Sequence, residues 1–105
     1  MAQMNMQQMM KQARKMQEQL AAAQETIAQS TVDASAGGGM VKATATGEMT
    51  ITDITIDPAA VDPEDVEMLQ DMVVAAVNEA LRAASEAANA RMNAVMGGMK
   101  IPGLM

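Results

Sequence analysis

An α+β fold is predicted, in the order helix, three-stranded antiparallel β-meander, long helix. Three observations carry that prediction: apolar residues spaced alternately three and four apart over residues 6–27, strict apolar/polar alternation over residues 41–46, and an apolar stripe at helical spacing over residues 69–95.

The first helix, residues 4–29, has Met6, Met9, Ala13, Met16, Leu20, Ala23 and Ile27 as a heptad-like seam. Lys11, Arg14, Lys15, Glu18 and Glu25 fall on its outer positions. At 1.5 Å per residue the helix is about 37 Å long and needs something to cover the seam. Thr31, Val32, Ala34 and Ala36 then suit a strand over residues 31–36, which three successive glycines, Gly37 to Gly39, interrupt. Residues 40–46 alternate, Val41, Ala43 and Ala45 on one face and Lys42, Thr44 and Thr46 on the other. Thr46, Gly47 and Glu48 make a turn into a strand over residues 49–56. Its phase changes between Met49/Ile51 and Ile54/Ile56, which predicts a bulge near Thr52 and Asp53. Asp57 and Pro58 end the strand. Asp62, Pro63, Glu64 and Asp65 supply a cap, a first-turn proline and early acids for a second helix over residues 63–96. Its stripe is Leu69, Val73, Val77, Leu81, Ala84, Ala88, Met92 and Val95, over about 50 Å, with Gly97 and Gly98 as the stop. Residues 1–96 thus form one domain, and residues 97–105 a flexible tail.

Composition says what this domain lacks. Of 105 residues half are hydrophobic, yet none is Phe, Trp or Tyr, and 14 are Met. Small or flexible apolar side chains on a short chain build a limited core, so pairing with another copy is expected. Helices of these lengths also overhang strands of five to seven residues. Without cysteine there is no disulfide framework, thiolate nucleophile or zinc-finger spacing. The longest unbroken apolar run, residues 72–77, is far short of the roughly 20 a membrane span needs. The first twelve residues lack the apolar core and cleavage site of a secretory leader.

Groups for catalysis are scarce: no His, Cys, Tyr or Trp is present. Asp57, Asp62, Glu64, Asp65, Glu67 and Asp71 gather at the start of the second helix, but without the EF-hand pattern they read as acids favouring a helix N-terminus. Met4, Met6, Met9 and Met10 are soft donors of the kind Cu(I) prefers, yet Met6 and Met9 lie on the seam, where methionine is packing material. The glycine run is followed by Met40 and Val41, not by the Lys-Ser or Lys-Thr of a phosphate-binding loop. No cofactor or metal is expected.

Residues 55–80, TIDPAAVDPEDVEMLQDMVVAAVNEA, join a strand end, two prolines and an acid-capped helix in a fixed order. Together with the Gln/Met-rich first helix containing MQEQ at Met16 to Gln19, and GMVKATATG at Gly39 to Gly47, they resemble the YbaB/EbfC family of small bacterial nucleoid-associated proteins. The resemblance spans nearly the whole chain. It implies a DNA-binding homodimer with helical arms projecting from a central body, contributing to nucleoid organisation or gene regulation in the cytoplasm, and no enzyme.

A net charge of −6 opposes binding to a polyanion, but the charge is unevenly placed: residues 1–32 carry +1, residues 33–81 carry −9 and residues 82–105 carry +2. Arm ends can therefore meet phosphates while the acidic body stays beyond a Debye length of about 8 Å. On charge alone three bases on one exposed helix turn read as a solvated face; the family resemblance makes Lys11, Arg14 and Lys15 the first candidates for phosphate contact, Arg82, Arg91 and Lys100 the second, Lys42 the third. Without aromatics there is no platform for stacking unpaired bases, so duplex backbone is the expected ligand. A second reading stays open, since helix–hairpin–helix with a methionine seam is also the plan of prefoldin-like holdases that bind exposed apolar segments.

Overall fold

A computed structural model describes residues 5–98. Helix α1 spans Met6–Gln29, strands β1, β2 and β3 span Thr31–Ala36, Val41–Thr46 and Ile51–Ile56, a 3-10 turn follows at Pro58–Ala60, and helix α2 spans Val66–Gly98. The predicted order of elements is the observed one. The expected tail, residues 97–105, enters the described region only through Gly97 and Gly98, which are helical and are the last two residues of α2. Residues 99–105 lie outside the described residues.

The three strands form an antiparallel sheet in the order β1-β2-β3. Val41, Ala43 and Ala45 of the central strand are fully buried, as their alternation predicts, and Lys42 is exposed on the opposite face. Thr44 pairs with Asp53 and Ala45 with Ile51, so Thr52 is the extra residue of the expected bulge. The bulge returns Ile51 to the face that carries Ile54 and Ile56.

Helix α2 covers the sheet through Ala76, Ala80 and Ala84, which are buried, while Leu69, Val73, Val77 and Leu81 are half-buried beside them. Of the predicted stripe Ala84 lies at the centre of contact, and its larger members flank that centre. The reason is size: the sheet presents Ala34, Ala43 and Ala45, so the helix comes close enough that only alanine fits at the nearest approach, and larger side chains splay outward.

Several boundaries differ from the sequence reading, each through a local hydrogen bond. Met40 belongs to the β1–β2 turn, its N–H donating to the Gly37 carbonyl at 3.3 Å. Gly37 has φ 63°, and a Cβ there would overlap the Met72 sulfur, so both backbone and space select glycine. β3 starts at Ile51, not Met49: Thr46 N–H donates to the Thr50 carbonyl at 2.9 Å, and Met49 takes φ 63° in a turn longer than Thr46-Gly47-Glu48. The residues from Asp62 to Asp65 form a turn and not the first turn of α2. Asp62 Oδ1 accepts from Glu64 N–H at 2.9 Å, and Asp65 N–H donates to the Asp62 carbonyl at 2.9 Å. Asp65 then takes the capping role, accepting from Met68 N–H at 3.2 Å.

Helix α1 is joined to β1 by Ser30 alone. Ile27 is its one buried residue, and the Ile27 carbonyl accepts from Ser30 N–H at 3.1 Å and Ser30 Oγ–H at 2.6 Å. Gly47 of the second hairpin lies against that carbonyl and donates its N–H to the Ser30 carbonyl at 3.1 Å. Beyond the sheet, α1 runs antiparallel to the second half of α2. Ile27 and Ala28 share a groove with Ala88, Asn89 and Met92, and one turn outward Ala22 and Ala23 share another with Ala94 and Val95. Cover then runs out: Leu20 is half-buried, and Met16, Met9 and Met6 are 40%, 53% and 75% exposed. The chain measures 78 × 24 × 15 Å with a radius of gyration of 21.1 Å, against about 13 Å for a compact chain of this length. Half of α1 projects as an arm.

Candidate nucleic-acid interface

The arm starts at Asn5, whose side chain accepts from Gln8 N–H at 2.8 Å and caps α1. Lys11 and Lys15, four residues apart, share one face of α1 with Gln8 and Gln12. That face lies opposite the seam of Met9, Ala13 and Leu20, with Arg14 between the two. All three bases are exposed. The helix is thus two-sided, apolar along one line and cationic along the other, and no acid occurs in its described part before Glu18.

Arg82 sits differently. Its Nε donates to Glu79 Oε2 at 3.0 Å, Nη1 donates to Glu86 Oε1 at 2.7 Å, and Nη2 pairs with Glu79 Oε1. The hydrogen bond from Arg82 holds the Glu79 carboxyl below its ordinary range, and the hydrogen bond to Glu79, with the charges of Glu79 and Glu86, raises the Arg82 guanidinium above its own. These pairs are exposed, so water and salt weaken them. Arg82 nevertheless enters any contact with an anion already bracketed by two carboxylates.

Arg91 is exposed at the rim of the α1–α2 groove, beside Ala22, Ala23 and Thr26. Lys42 stands on the outer face of the sheet, paired across strands with Ser35 and Thr55. That face also carries Asp33, which accepts from Thr44 Oγ1 at 2.7 Å, and Asp53, which accepts from Thr55 Oγ1 at 3.2 Å. Lys42 is therefore far from the arm and close to acids. Lys100 lies outside the described residues. The structure brings Lys11, Arg14 and Lys15 together and leaves the other described bases dispersed.

Among the described residues no group of three His, Cys, Asp or Glu is placed to hold a metal ion, and no helix is long and apolar enough to cross a membrane. The buried residues among those described are all apolar. What this arrangement offers is an exposed basic ridge, suited to an anionic surface by charge.

Sequence reading missed one feature of the surface. Ile54 and Ile56 face the α2 side of the sheet yet are 41% and 37% exposed, because α2 lies over β1 and β2 and leaves β3 bare. Alternation showed which face they take. Only the lateral position of α2 reveals that nothing covers it.

A model of the YbaB/EbfC DNA-binding family matches residues 1–99. A nucleoid-associated protein of Moorella thermoacetica is 54% identical over 99 residues, covering 94% of this chain and 95% of that protein. One from Pelotomaculum thermopropionicum is 52% identical over 100 residues, covering 95% of each. Among solved structures, the uncharacterized protein HP0035 from Helicobacter pylori superposes with a TM-score of 0.67 at 23% identity, over 93% of this chain and 100% of that one. This last likeness is one of fold.

Proposed function

This chain belongs to the YbaB/EbfC DNA-binding family, and from that premise we propose that it is a nucleoid-associated protein that binds duplex DNA as a homodimer and serves nucleoid organisation or gene regulation in the cytoplasm. The names of its relatives in Moorella and Pelotomaculum support the nucleoid assignment. The observation that carries the mode of binding is the ridge of Lys11, Arg14 and Lys15, exposed on an arm that leads away from a body of net −9. Contact is with phosphates, and it positions the protein without reading bases. Arg91 lies on α2 at the rim of the α1–α2 groove, Lys42 and Arg82 are auxiliary, and Lys100 belongs with them by sequence position. No catalytic step is assigned.

The test is a titration of labelled duplex across salt. Phosphate contact makes the logarithm of affinity fall linearly with the logarithm of salt concentration, by about 0.9 per contact. The exposed Met6, Met9 and Met16 favour a second reading, a holdase taking apolar segments. Affinity for duplex that is absent or indifferent to salt would select it.

The homodimer is supported by surface that one copy leaves bare. Ile54 and Ile56 are bare on the α2 side of the sheet, and among the described residues the edge of β3 has no strand partner. An apolar strip next to an open edge invites association. A second copy covers this strip. Light scattering with refractive-index detection, chosen because the chain lacks aromatic absorbance, is expected to give a dimer at micromolar concentration and a monomer for Ile54→Lys. A dimeric Ile54→Lys protein would move the interface elsewhere, and a monomeric wild type would remove it.

A further inference from the structure

The apolar seam of α1 outlasts the helix that covers it. Ala22 and Ala23 share a groove with Ala94 and Val95, and the two helices run antiparallel, so Gly98, three residues beyond Val95, stands level with Leu20. Gly97 and Gly98 have no side chains with which to cover anything. From there outward Leu20 is half-buried, and Met16, Met9 and Met6 are exposed along one line. An apolar stripe of this length on an amphipathic helix calls for an occupant.

We propose that residues 99–105, MKIPGLM, leave α2 in extended form and lie along this seam as a strap, covering Leu20, Met16 and Met9 of their own chain. Read by itself the segment is a tail; the seam gives it somewhere to go. Position argues for the assignment first, since the segment begins where cover ends and continues the α1–α2 groove. Reach argues next: seven extended residues span about 23 Å, and the seam rises about 21 Å along α1 from Leu20 to Met6. Pro102 disfavours helix at Ile101, so the chain turns extended soon after Gly98 and gains that reach. Chemistry agrees, because Met99, Ile101, Leu104 and Met105 are apolar and Lys100 is the one charged residue. Methionine on both sides of the contact lets the two surfaces adapt to each other. Tethering selects this occupant over a second copy, since a segment fixed at one end of the seam meets it at a millimolar effective concentration that a separate molecule at micromolar concentration does not match. The strap closes the seam to foreign apolar segments and leaves the basic ridge as the open face of the arm. It stands on the fold and is independent of the DNA-binding reading.

The experiment oxidises the full-length protein with trace peroxide and reads each methionine by mass spectrometry of its peptides, because oxidation follows exposure of the thioether. Exposed Met68, in the first turn of α2, is the internal reference. In the wild type Met9 and Met16 are expected to oxidise several-fold more slowly than Met68, equally at nanomolar and micromolar protein. Ile101→Ser/Leu104→Ser is expected to abolish that protection while keeping the wild-type helix content by circular dichroism, and Leu104→Ser alone, a milder change, to lie between. Met9 and Met16 oxidising as fast as Met68 in the wild type overturns the strap, as does protection that survives both serine variants. Protection that fades on dilution assigns the seam to a second copy and overturns it as well. None of these readings depends on duplex affinity, so the strap and the DNA-binding reading fail separately.

Discussion

Changing Lys11, Arg14 and Lys15 together to glutamine is expected to weaken duplex binding by a similar factor on unrelated sequences and to flatten the salt dependence. Each lost phosphate contact removes about 0.9 from the log–log slope, so three contacts remove nearly three units. At low salt the loss of affinity then reaches orders of magnitude, and it shrinks as salt rises. Fold is expected to survive, because all three side chains are exposed on the face of α1 away from Ile27 and the α1–α2 grooves. Circular dichroism checks that the variant remains helical. If a folded triple variant keeps both affinity and slope, phosphate contact lies elsewhere on the surface, and Arg91 is the base to change next.

The second large effect is structural. A Cβ at position 47 would sit 2.6 Å from the Ile27 carbonyl carbon and closer still to its oxygen, with the Ile27 side chain 2.9 Å away. Gly47→Ala therefore forces apart the hairpin and the end of α1. Overpacking costs about 1–3 kcal/mol, and the strained Gly47 to Ser30 hydrogen bond about 1 kcal/mol more. For a domain of this size that lowers Tm by roughly 10 °C or more. Exposed Thr50 on the same turn provides a control, since Thr50→Ala removes no contact of this kind. A Gly47→Ala protein melting with the wild type would mean that α1 is not seated on the hairpin.

How much of this was legible in the residues differs by element. The alternation in Val41, Ala43 and Ala45 located the buried face of β2, and the phase change after Ile51 located the bulge, because period two leaves no freedom of interpretation. The start of α2 was misplaced by three residues because Asp62 and Asp65 both have capping chemistry. The backbone used the first to close a turn and the second to open the helix. The stripe of α2 named the right helix face but, of its centre, only Ala84, since alanine carries little weight in a hydrophobic pattern while close approach to a sheet demands it. The seam of α1 was read in full, but only Ile27, Leu20 and Ala23 find cover among the described residues. Of the candidate bases, sequence showed that Lys11, Arg14 and Lys15 share an exposed helix segment. It did not show that Arg82 would be bracketed by Glu79 and Glu86, although their spacing of three and four allowed it.

The antiparallel seat of α1 against the far half of α2 also bears on how the protein is made. Ile27 leaves the ribosome early, but the groove it occupies is finished only when Gly47, Ala88 and Met92 have followed. At roughly 5–20 residues per second, α1 waits several seconds for its partner. Through that interval a helix with methionines along one side and bases along the other is presented to nascent-chain surroundings rich in ribosomal RNA, with its apolar side as yet unprotected.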